Sequence, residues 1–106
     1  MATIEQVIPS GAQVPADDAN AALGGGMLVA VWMPTGMQGT TYDIEYSPDS
    51  GTTWDPVTDE AGTQIQITYL AGGAMFQINP PIRAPYVRIN SDTNETSAMT
   101  IELHTV

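Results

Sequence analysis

Cysteine and lysine are both missing from these 106 residues, and histidine occurs once. Without cysteine there can be neither a disulfide framework nor a zinc–thiolate site. Without lysine, two arginines face twelve acidic residues, for a formal net charge of -10. Binding to a phosphate backbone relies on several Lys or Arg side chains releasing counterions, so nucleic acid is a poor partner for this chain. No apolar run approaches the ~18 residues of a membrane span. The start, "MATIEQVIPS", lacks a basic segment followed by an apolar block, so the expectation is a soluble chain made in a cytoplasm with no membrane partner. The length fits one domain.

Catalytic parts are equally scarce. His104 stands two residues from the C-terminus on an outward register, with no nucleophile elbow and no Gly-rich strand-to-helix turn to form an oxyanion hole. A glycosidase needs two carboxylates across a cleft, and a sandwich of this size has little room for one. The expectation is therefore no enzyme, no catalytic residue and no cofactor. Asp49, Asp55, Asp59 and Glu60 lie close together and are of the type calcium prefers. Their spacing fits no calcium loop, so they read as a solvated acidic loop and no metal is expected. "NET", Asn94 to Thr96, reads as a polar hairpin tip.

What is present is strand periodicity. From Met27 onward no helical stripe occurs, whereas "MLVAVWM", "TTYDIEY", "TQIQITYL", "GGAMFQINPP", "PYVRIN" and "AMTIELHTV" are apolar or alternating runs. In the last of these, Met99, Ile101 and Leu103 fall inward and Thr100, Glu102 and His104 outward. Pro80 and Pro81 are expected to stop the strand around Phe76 and Ile78. About six or seven short strands, with turn signals roughly every 8 to 12 residues, give an all-β antiparallel sandwich or jelly roll. The first 26 residues, rich in Ala, Gly and Pro, read differently. They form an N-terminal arm carrying Ile4, Val7 and Ile8, closed by a flexible joint at Gly24 to Gly26, ahead of the sandwich over 27–106.

"SPDSGTTW" follows the pattern SxDxGxxW of an Asp-box hairpin. Pro48 presets one backbone angle, Asp49 can accept bonds from nearby amides, and Gly51 supplies a positive φ. Trp54 can fold its indole back over the loop and bury area on the order of 200 Å². Ser47, Asp49, Gly51 and Trp54 thus read as a structural hairpin. Arg83 and Arg88 must seek carboxylates, either internal or on a neighbouring chain. Trp32, Trp54, Tyr42, Tyr46, Tyr69 and Tyr86 supply aromatics that core packing accounts for if they point inward and that a sugar platform would need outward.

The succession "YDIEYSPDSGTTWDPV", then "INPPIRAPYVRI", a polar tip and a last alternating strand resembles small β-sandwich virion proteins of tailed bacteriophages. The resemblance spans Thr40 to Val106, with Asp49-Ser50-Gly51 where Asp-Gly-Gly is common. It implies a structural role on the exterior of a virion: a capsid decoration or cement protein bound between major capsid subunits, forming dimers or trimers with itself. A tail or neck component, or a carbohydrate-binding module at the tail tip, is the alternative. In that setting the arm residues Ile4, Val7 and Ile8, together with Arg83 and Arg88, become the candidate partner contacts, the arm adding a strand to a neighbour's sheet.

Overall fold

The computed structural model describes residues 2–16 and 22–106. Its strands are β1 (Ala2–Ile8), β2 (Met27–Met33), β3 (Thr41–Ser47), β4 (Asp55–Pro56), β5 (Gln66–Thr68), β6 (Ala74–Arg83), β7 (Tyr86–Ser91) and β8 (Met99–Thr105). Alternation in the sequence translates directly into burial: Tyr42 and Ile44 of β3, Val87 and Ile89 of β7, and Ile101 and Leu103 of β8 are fully buried, with more exposed neighbours between them. Successive side chains of a strand point to opposite faces, so each of these strands gives one face to the core.

Two antiparallel sheets enclose that core, and the sandwich expected from periodicity is the fold observed. The first has the strand order β1-β8-β2-β6. In the second, β7 pairs with β3 over Tyr42–Ser47, while β5 pairs with Thr41–Asp43 and β4 with Glu45–Tyr46 along the other edge of β3.

The prolines do not end β6. It runs through Pro80 and Pro81 to Arg83, and its register against β2 shifts between the pairs Ala30–Gln77 and Leu28–Ile82, so both prolines fall in an irregular stretch. β6 is an edge strand, where a residue without an N–H need not break a ladder.

The expected division into arm and body is corrected by the structure. β1 pairs with the C-terminal strand β8 over its whole length, from Ala2–Thr105 to Ile8–Met99. Ile8 is fully buried, Leu23 nearly so, and both belong to the common core. Each contributes about 1.5–3 kcal/mol on burial, against a net stability for an ordinary domain of only about 5–15 kcal/mol. Nor is Gly24 to Gly26 a joint: Gly26 N–H closes a turn onto Leu23 O at 3.1 Å, and Met27 N–H donates to Val106 O at 2.9 Å. By sequence the stretch "PADDANAAL" could form at most a helical turn, and most of it, residues 17–21, lies outside the described residues.

Candidate functional site

The Asp-box forms as a self-bonded hairpin end between β3 and β4. Ser47 is its hub: the hydroxyl donates to Asp49 Oδ1 at 2.8 Å and accepts from Gly51 N–H at 2.8 Å. Thr53 N–H donates to the same Asp49 oxygen at 2.7 Å. These bonds, the Thr53 amide's first and Ser47's after it, hold the Asp49 carboxyl below the usual aspartate range. Gly51 takes φ 95°, open only to glycine at no steric cost, while Ser50 before it is also left-handed at φ 62°. The amides that reach Asp49 come from further along the chain than its sequence neighbours, because Ser47 has claimed the nearer ones.

Trp54 does fold back, its indole N–H donating to Gly51 O at 3.1 Å. It is half-buried and lies outside the core, beneath Arg88, whose guanidinium carbon is 4.5 Å from the ring centroid. Arg88 also pairs with Glu45, its direct partner in the β3–β7 register, at 2.8 Å. The Asn90 side-chain amide donates to the same Glu45 oxygen. Arg88 thus has an internal carboxylate partner.

Arg83 differs. Its guanidinium approaches only the Met27 sulfur, at 3.5 Å, and among the described residues it has no carboxylate partner. Of the other partner-contact candidates, Ile8 is inside the core, Ile4 is half-buried against it, and Val7 is exposed. Val7 and Arg83 are on opposite edge strands of the first sheet, so the five candidates form no single patch.

The most buried carboxylate went unnoticed in the sequence. Glu95, in the "NET" tip, is fully buried. Its Oε2 accepts from the Tyr42 hydroxyl at 2.7 Å and its Oε1 from Gln38 N–H at 2.8 Å. The Tyr42 oxygen accepts in turn from Gly39 N–H at 3.0 Å. Burial first, and then the bond to Glu95, raise the Tyr42 hydroxyl well above the usual tyrosine range. Gly39 is glycine because a Cβ there would collide with the Tyr42 ring and Ser91. Only its place after a predicted strand turn, far from any partner in sequence, marks Glu95, and that signal is too weak to read.

The remaining candidates are dispersed. Asp59 Oδ1 accepts from the Ala61 and Thr63 amides, both at 2.9 Å, capping its own turn. Among the described residues no three His, Asp or Glu side chains gather at metal-binding distance. His104 is on the outer face of the first sheet, 3.2 Å from Glu102, and among the described residues it hydrogen-bonds to no hydroxyl nucleophile. Tyr69 packs edge-on against Tyr42, at 5.8 Å between centroids, and donates to the Pro34 carbonyl. Trp32 points outward from the first sheet, in register with Glu102 on one side and Met75 on the other.

Both sheets leave edges, and the molecule treats its two seams differently. At the β1–β7 seam, the Gln6 side-chain amide donates to Val87 O at 2.7 Å, and its oxygen accepts from Ile89 N–H at 3.3 Å. Ser91 N–H donates to Gln13 O, Leu23 N–H to Pro85 O, and Ala16 N–H back to Val7 O. At the opposite seam, between β5 and β6, a groove of about 400 Å³ opens over Ile65, Ile67, Phe76 and Ile78. No family model matches this chain, and neither does any curated protein or solved structure.

Proposed function

We propose that this protein is a structural component of a bacteriophage particle, a capsid decoration or cement protein that binds major capsid subunits and copies of itself and catalyses no reaction. The observation that carries the reading is how the chain uses its distinctive polar groups. Asp49, Ser47, Arg88, Glu45, Tyr42 and Glu95 are all occupied in holding strands and turns together. What remains for a partner is an acidic exterior and strand edges. The phage-like succession from Thr40 to Val106 supports the class of assembly, and its Asp-box and β7 segments meet in the Glu45–Arg88–Trp54 contact.

An arm inserted into a neighbour does not fit this reading, because β1 completes the protein's own sheet. Attachment is then a property of the folded sandwich. A surface with a net charge of -10 favours basic partners and resists unguided self-association.

The test is to add the purified protein to particles assembled without it, sediment them, and compare their survival of heat and low salt. Saturable co-sedimentation with raised resistance supports the reading. Protein that stays in the supernatant and leaves the particles as fragile as before overturns it.

A further inference from the structure

We infer that the groove between β5 and β6 is a docking site for an extended, cationic segment of another protein, which enters as an added β-strand. The inference goes beyond the particle reading and does not rest on it, since the groove is the same whatever assembly supplies the partner.

Two backbone edges face this groove. Among the described residues, β6 pairs with β2 along one edge only, and β5 with β3 along one edge only. Outside those ladders, no main-chain hydrogen bond among the described residues involves residues 66–68 or 74–83. Edge strands with free N–H and C=O groups are templates for another strand, and here two of them flank one trough. Its floor is apolar, with Ile67 and Ile78 deep and Ile65 and Phe76 half-exposed above them. An extended segment satisfies both features at once: its main chain bonds the edges, and its alternate side chains reach the floor. The opposite seam shows the need for closure, since there Gln6, Gln13 and Leu23 supply the missing bonds.

Charge decides which segment. A second groove of about 420 Å³ continues past Ile65 and Pro80, where the carboxylates of Asp59 and Glu60 outnumber the one guanidinium, Arg83. The whole molecule is strongly acidic, so a strand with outward lysines or arginines is drawn in. A second copy is a poor donor: it carries the same net charge of -10 and has no run in which apolar and basic residues alternate.

The probe is a short synthetic peptide of alternating lysine and valine. Its control has the same sequence with alternate main-chain amides methylated, which keeps charge and side chains but removes donors. Amide shifts and hydrogen exchange are followed by NMR. The expected result is protection at residues 66–68 and 74–79, with the methylated peptide weaker by about tenfold or more, the factor that losing one or two main-chain bonds gives. Phe76→Lys, at a half-exposed floor position, should abolish peptide binding, with a lower melting temperature but a cooperative transition, because the ring also packs against the core. If that variant does not fold, the two-peptide comparison on the unaltered protein still decides. Equal binding of both peptides, shifts centred on the outer face of the β1-β8-β2-β6 sheet, or no binding at all would each overturn the inference.

Discussion

Gln6 of β1 bonds the main chain of β7 at Val87, crossing from one sheet to the other at 2.7 Å. Its own carbonyl oxygen accepts from Ile89 N–H at 3.3 Å, so one side-chain amide stands in for a missing strand neighbour. The side chain is almost fully buried, where unpaired donors and acceptors go unhydrated. Gln6→Ala is therefore expected to destabilise the fold by about 2–4 kcal/mol, since each orphaned buried group costs about 1–3 kcal/mol. Denaturant titration measures it, with the exposed Val7→Ala as a control expected within ~0.5 kcal/mol of the parent.

A chain starting at Met27 should not fold. It lacks β1, Ile8, Leu23 and the Gln6 bridge, and it bares the edge of β8. Circular dichroism and a denaturant titration check this. A cooperative transition in the truncated chain would restore the arm as a separate unit.

The sandwich was legible because β3, β7 and β8 alternate cleanly, and the hairpin because SxDxGxxW encodes bonds made within one short loop. The role of β1 was not legible. Its apolar residues match those of a strand added to a neighbour, and nothing in "ATIEQVI" says that the sheet it joins is its own. Gln6 and Glu95 were missed for a related reason: their partners are far away in sequence, and a polar residue beside Glu5 or between Asn94 and Thr96 looks solvated. Trp54 was placed correctly over its loop but too deep, since the loop leans on the outer face of β7 through Arg88 and leaves the core to others.

That shallower seat lowers the expected effect of Trp54→Ala. A half-buried ring stacked under one guanidinium should be worth about 1–2 kcal/mol, below the 3–5 kcal/mol of a core aromatic. Denaturant titration again decides. A chelator should leave the melting temperature unchanged, because Asp49 and Asp59 already cap the amides of their own turns. A drop restored by calcium and not by magnesium would contradict this.

Two groups set opposite limits in pH. Asp49 is held below its unfolded value, so its stabilisation is present above the ordinary aspartate range and is lost as pH falls through the depressed folded value. Tyr42 is raised, so its contribution is full below the unfolded tyrosine value of about 10 and is lost as pH rises towards the folded one. In a spectrophotometric titration, Tyr42 should ionise last of the four tyrosines, together with unfolding. Tyr42→Phe should remove that late step and also destabilise the fold, by leaving Glu95 Oε2 without its donor. A late step that persists in Tyr42→Phe would assign it to another tyrosine.

The proposed place of this protein is the exterior of a virus capsid, and electron cryomicroscopy of intact particles is the direct test. If the protein decorates the shell, density for a small sandwich repeats in register over the capsid exterior and is absent from particles made without the protein. Density confined to a few copies at the tail tip, or none on the particle, would contradict it.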